Sequence, residues 1–211
     1  MKRLFPSHAL IAVAAFLLVA LASVHPPEAF GKVVRKSYPP EWSRGFTPGV
    51  YIAGKLGIFE PNDDEIGLAG FGTGAFTGGL IGFRFHPNVA IEGEVDYYES
   101  GVGSLDLLAN PYIFNVRIIA PGVFVEPYLE GGVGIYFAEL DFDLGGGFVE
   151  TDSGVGVGFH LGGGVDIRLG PGLALGTEVR WFTAKPDFRD IAGNDPDIGG
   201  VVVNMFLKVS F

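Results

Sequence analysis

The chain has 211 residues and carries 14 Lys and Arg against 24 Asp and Glu, a formal charge of −10 at pH 7. That acidity excludes a nucleic-acid-binding protein, which needs a basic footprint; the lack of Cys excludes disulfide frameworks and thiolate metal sites. Glycine, at 34 residues, is about twice its usual share and follows no collagen period.

Lys2 and Arg3 precede an apolar run from Ala9 to Val24. A charged start and a short apolar run read as a secretory signal peptide over residues 1–22. Ala20-Leu21-Ala22 supplies the small-x-small site, with cleavage expected within 22–31 and first at Ala22. The run falls short of the roughly 20 residues that cross a bilayer. Losing Lys2 and Arg3 takes the net charge to −10 − 2 = −12. Residues 23–48 hold Pro26, Pro27, Pro39, Pro40 and Pro48 among Lys32, Arg35, Lys36 and Arg44. They show no sustained period and read as a periplasmic lead-in segment.

Eight strand-like segments then follow: Gly49–Phe59, Gly74–Phe85, Val89–Tyr98, Pro111–Ala120, Phe124–Ala138, Gly154–Leu169, Leu173–Thr183 and Gly200–Phe211. His86-Pro87-Asn88, Pro121-Gly122-Val123 and Gly170-Pro171-Gly172 are tight links. The connections near 60–73, 99–110, 139–153 and 184–199 are long and acidic. Their carboxylates read as solvated loop charges, since none matches a calcium-loop spacing.

Each segment alternates. From Val201 the odd positions are Val201, Val203, Met205, Leu207, Val209 and Phe211, while Asn204, Lys208 and Ser210 fall between them. Such a period of two puts apolar and polar side chains on opposite faces of a strand. In the sixth segment Val155, Val157, Phe159 and Leu161 oppose His160, Asp166, Arg168 and a run of glycines. Across the segments the polar face collects Lys55, Arg84, Arg117, Arg168, Arg180 and Lys208 as cations. Its anions are Glu92, Glu94, Asp96, Glu126, Glu130, Asp166 and Glu178. Six against seven is close to balance and predicts mutual pairing, because an unpaired enclosed charge is costly. Folding the tight links puts Gly82 opposite Glu92, Gly78 opposite Asp96, Gly164 near Glu178, Gly162 near Arg180 and Arg117 opposite Glu126. In the first and last of these hairpins small residues would then face long ones, and Arg117 and Glu126 would form an ion pair.

These features predict an all-β chain: an eight-stranded antiparallel up-and-down transmembrane β-barrel over residues 49–211. Greasy outside and charged inside is the reverse of a soluble barrel. An even strand number leaves both termini on the short-turn, periplasmic side of an outer membrane.

The segments Glu126-Pro-Tyr-Leu-Glu-Gly-Gly-Val-Gly-Ile-Tyr136, Gly158-Phe-His-Leu-Gly-Gly-Gly-Val-Asp-Ile-Arg168 and Ala174-Leu-Gly-Thr-Glu-Val-Arg-Trp181, with Phe211, carry a resemblance. The chain resembles the small outer-membrane β-barrels of the OmpA-type and opacity-like family from about Pro48 to Phe211. The resemblance implies an outer-membrane location in a bacterial envelope. It implies outer-membrane lipid and lipopolysaccharide as surroundings, and a terminal Phe211 read as an assembly signal by the barrel-assembly machinery. That family spans structural proteins, adhesins, invasins and narrow pores. No peptidoglycan-binding domain follows the last strand, so the anchoring role of OmpA-type proteins is not expected.

The chemistry is sparse. Some small outer-membrane barrels modify lipid A with Ser and His, but His86 falls in a short turn, no Ser follows closely on the face of His160, and Ser100, Ser104 and Ser153 lie in or beside long loops with no His in sequence reach. Glu92 and Glu94 are neighbours on one charged face, where ion pairing is the commoner role. The glycine runs match no phosphate loop. The expectation is a non-enzymatic structural or surface-interaction protein with a filled, charge-paired lumen and no cofactor or metal. The alternatives are a narrow porin-like channel for ions or small solutes and, less favoured, a lipid A-modifying enzyme.

Overall fold

The computed structural model describes residues 48–62, 72–102, 105–143, 149–188 and 198–211. Within them the regular structure is all strand: β1 (Gly49–Pro61), β2 (Gly74–His86), β3 (Val89–Val102), β4 (Leu105–Ile119), β5 (Val125–Asp143), β6 (Val149–Gly170), β7 (Leu173–Ala184), β8 (Asp187–Phe188) and β9 (Gly200–Ser210). The expected signal peptide and nearly all of the lead-in lie outside the described residues.

Strands β1 to β7 pair antiparallel in sequence order, and β9 lies between β7 and β1. Eight strands thus close into a barrel. The two-residue β8 adds to β6 beyond the end of β7, through Gly154↔Phe188 and Val155↔Asp187. Closure leaves no free edge around the wall, so the strands satisfy their backbone groups on one another.

Alternation sorts the side chains as the sequence demands. Val157 is 74% exposed and Leu207 50%, whereas Glu178 and Arg180 are wholly enclosed. Ile81 also faces outward and Val179 is half-exposed. The wall's outer surface is therefore apolar, with edge-on aromatic pairs such as Tyr112–Phe137 and Phe159–Trp181.

One end of the barrel, the turn end, carries the short links; the other, the loop end, carries the longer ones. In the β6–β7 link, Pro171 precedes Gly172 at φ 71°, the order a type II turn requires. The β2–β3 link consists of Pro87 and Asn88. The β4–β5 link is wider, Ala120 to Phe124, so β5 starts at Val125.

Two expected loops are largely strand. β4 begins at Leu105, well ahead of Pro111. Pro111 sits inside the strand, where the β3–β4 ladder steps from Val95↔Tyr112 to Tyr98↔Ala109 with no pair between. A missing N–H interrupts pairing there without ending the strand. Likewise β5 and β6 stay paired out to Asp143↔Val149. The outward acids Glu139 and Asp141 give this stretch a loop-like composition, yet Leu140 keeps the period and is buried.

A charge on the outer wall tests this placement. Met205→Arg, on the outward face halfway along β9, should lower stability in lipid vesicles by about 2–4 kcal/mol. Urea unfolding of the vesicle-inserted protein measures it.

Candidate functional site

The inner face of the barrel is the candidate site. β1 and β4 contribute their odd positions to it, and β2, β3, β5, β6, β7 and β9 their even ones. The side chains on these positions form two layers.

The layer nearer the turn end is built on two arginines. Arg180 donates from Nη1 to Asp96 Oδ2 at 2.9 Å and from Nη2 to Glu94 at 2.9 Å and Glu130 Oε1 at 3.0 Å. Its Nη2 also lies 2.9 Å from Glu178 Oε1. Arg117 Nη2 donates to Glu130 Oε2 at 3.0 Å and lies 3.7 Å from Glu178 Oε2. Its Nε is 3.0 Å from Glu92 Oε1, and its Nη1 4.0 Å from Asp166 Oδ1. Glu130 and Glu178 therefore join the two guanidinium groups. Lys55 Nζ adds bonds to Glu94 at 2.7 Å and Glu178 at 3.2 Å, and Lys208 pairs with Asp166.

Neutral donors take further oxygens. Tyr51 donates to Glu92, Tyr128 and Asn204 to Glu178, Asn115 to Glu94 and Tyr98 to Asp96. The Arg117 guanidinium also stacks on the Tyr128 ring, 3.9 Å from its centroid. At the turn-end mouth, Glu126 accepts from Arg84 at 3.1 Å and Arg168 at 2.8 Å. The planar guanidinium suits this work: its five donors spread over several carboxylates at once.

The second layer closes the loop end. Phe59, Phe76, Tyr98, Tyr136 and Phe182 form one buried cluster with Phe188, Ile198 and Val202. Tyr98 and Phe182 stack at 5.1 Å, and Tyr136 and Phe182 at 5.6 Å. Phe188 and Ile198 come from the β7–β9 connection, which Ile198 N ties back to Ala184 O at 3.0 Å.

Glycines make room for both layers. A Cβ on Gly82 would run into the Tyr51 ring, one on Gly164 into the Tyr128 phenol, and one on Gly176 into the Phe206 ring. Each ring lies on its direct cross-strand partner. An eight-stranded barrel is only wide enough for side chains to fill it, and here large groups rest on bare backbone.

All thirteen charged residues expected on the inner face lie along this lumen. Eleven are buried, while Arg84 is half-buried and Arg168 is exposed at the mouth. The registers Gly82↔Glu92, Gly78↔Asp96, Gly164↔Glu178 and Gly162↔Arg180 stand as expected. The pairing of Arg117 with Glu126 does not: Arg117 stands opposite Glu130, and Glu126 opposite Asp166. The wider β4–β5 link slides β5 along, leaving Glu126 at the mouth for Arg84 and Arg168.

The aromatic layer escaped the sequence reading. Phe76, Tyr98, Tyr136 and Phe182 occupy even positions on β2, β3, β5 and β7, as the charged residues of those strands do. Continuing the inner-face period toward the loop end would have found them.

His160 is buried in the lumen, and both its ring nitrogens lack a hydrogen-bond partner among the described residues. Ser100 donates instead to Gly72 O at 2.7 Å. Among the described residues no three acidic or histidine side chains are placed to hold a metal ion. Phe211 is 78% exposed on the outer face, and its N–H bonds Val50 O at 2.9 Å.

A closed strand wall with an apolar exterior and an enclosed charged interior defines an integral membrane β-barrel. The family model described as the outer membrane protein beta-barrel domain matches residues 14–206. The chain belongs to that family and is a protein of the outer membrane. No curated protein sequence matches it. Its fold is similar to that of Neisserial surface protein A, at 15% identity and a TM-score of 0.56, covering 78% of this chain and 97% of that one. Ail, the attachment invasion locus protein of Yersinia pestis, superposes at 14% identity and a TM-score of 0.48, covering 76% and 97%. The N-terminal barrel of Pseudomonas aeruginosa OprF does so at 12% identity and 0.43, with the same coverage.

The charged layer and its glycine seats predict graded costs. Arg180→Ala leaves four carboxylates facing an absent cation and should cost about 3–5 kcal/mol. Arg84→Ala, at the wet mouth, should cost about 1 kcal/mol or less. Gly164→Val should cost about 1–3 kcal/mol by overpacking. Urea unfolding of the detergent-folded variants gives all three.

Proposed function

We propose that this chain is a non-enzymatic outer-membrane protein whose barrel is a sealed scaffold for its outward connections, acting as a structural or surface-interaction protein. The observation that carries this reading is the occupied lumen: an ion network centred on two arginines below and an aromatic layer above. A solute path would have to break ion pairs enclosed on all sides and part stacked rings. Both steps are costly in a low-dielectric interior. The longer connections at the loop end suit the outer surface, where lipopolysaccharide is the neighbouring lipid. The termini then sit on the periplasmic side.

Planar-bilayer recording of the refolded protein tests the seal. The expected result is no steady conductance; a large, stable open state would favour the narrow-channel reading instead.

Assembly is a separate part of the proposal. Phe211 extends the apolar face of β9 and would be read by the barrel-assembly machinery. Deleting Phe211 should lower the outer-membrane level several-fold while leaving synthesis unchanged. Quantitative blotting of membrane fractions against total protein decides it, and equal membrane levels would remove the assembly role.

A further inference from the structure

The outer wall is not evenly covered. A hollow of about 560 Å³ opens on it across β2 to β6. Gly93 of β3 forms its floor, and Ile81, Val95, Tyr112, Phe114, Val133 and Val157 stand around it. Gly93 lies between Ile81 and Phe114 in the ladder, so a row of large side chains is interrupted at one point.

Neighbouring side chains do not fill the gap. A Cβ on Gly93 would meet only Ile81 Cγ2, at 4.0 Å. At the outward glycines Gly131 and Gly163 the situation differs: Leu161 and Leu129 lean in to 3.0 Å.

The hollow is continuous with the exposed apolar band, which meets hydrocarbon in the outer membrane. On β3 that band runs from Val89 to Tyr97, and Gly93 is its midpoint. Charge then selects the side from which a lipid enters. Toward the loop end the outward positions of β3, β4 and β5 carry Glu99, Asp106, Glu139 and Asp141, with Asp106 directly opposite Asp141. These acids disfavour an anionic head group above the hollow. Toward the turn end the same strands present Val89, Ile91, Val116, Ile118 and Leu129 and no outward acid. Gly93 is four residues from the β3 start at Val89, about 13 Å along the strand, within the reach of one acyl chain.

We infer that this hollow is a seat for an acyl chain of a glycerophospholipid from the leaflet at the turn end. The lipid packs its chain over Gly93 against Tyr112 and Phe114 and is held longer than its neighbours in the bilayer.

Native mass spectrometry of the full chain, refolded in detergent and incubated with a palmitoyl-oleoyl phosphatidylethanolamine probe or with lipid A, tests the seat. The expected wild-type result is one retained phospholipid. Gly93→Leu, which fills the floor, and Tyr112→Ala, which removes a wall, should each reduce retention at least five-fold. Gly54→Leu adds the same side chain at an outward glycine where a Cβ meets nothing within 4 Å, and should leave retention unchanged. Heat-modifiable gel mobility identifies folded variants, and either hollow variant suffices if the other misfolds. No retained lipid on the wild type, equal retention in the folded variants, preferential retention of lipid A, or a dimer mass in place of the lipid adduct would each overturn the inference.

Discussion

A backbone amide without a partner in hydrocarbon costs several kcal/mol, and the remaining features of this barrel follow from avoiding that cost. Strands can meet the demand only by closing on themselves, which β9 achieves by pairing with both β7 and β1. Eight strands enclose a bore that side chains fill. Lipid outside fixes which face is apolar, so the polar residues must share the narrow interior. Charge pairing and glycine seats are two answers to that crowding. A long side chain needs an opposite charge in reach and an empty backbone beneath it.

The ion clusters are better understood as selecting an arrangement than as adding stability. Burying charges is unfavourable, and even good geometry often only balances the desolvation. What Arg117 and Arg180 impose is specificity, because any slip in strand register separates a guanidinium from its carboxylates. Glu130 and Glu178, shared between the two, make that penalty collective. The aromatic layer acts differently: its rings supply apolar contact where the barrel nears water, and they need no exact partner.

Much of this was legible in the sequence because strands repeat every two residues. The sorting of apolar from charged faces came from that period, and strand number and membrane placement followed from it together with the short links and long connections. The registers about His86-Pro87-Asn88 and Gly170-Pro171-Gly172 were legible too: each ladder shifts by one residue beside its turn, which gives the pairing of the three-residue link read from the sequence. The partner of Arg117 was not, because the link from Ala120 to Phe124 tolerates more than one register. Contacts across the bore, such as Arg180 of β7 with Asp96 of β3, join strands that are not neighbours, and no hairpin rule reaches them. Proline at 111 and outward acids at 139 and 141 hid two strand ends. Each suggests a loop locally, and the ladder overrides both.

The ladder between β1 and β9 has a kinetic consequence. It runs from Pro61↔Gly200 to Tyr51↔Ser210, uniting the two most distant strands in the chain. Contacts of such long sequence separation form slowly, since the intervening loop must be closed first. The hairpins β2–β3 and β6–β7, with their tight links, can pair early, leaving an open sheet with two bare edges. Those edges are templates for intermolecular pairing until β9 docks. The vulnerable period for this protein is therefore the interval before closure, and its lifetime depends on how quickly the last strand finds the first.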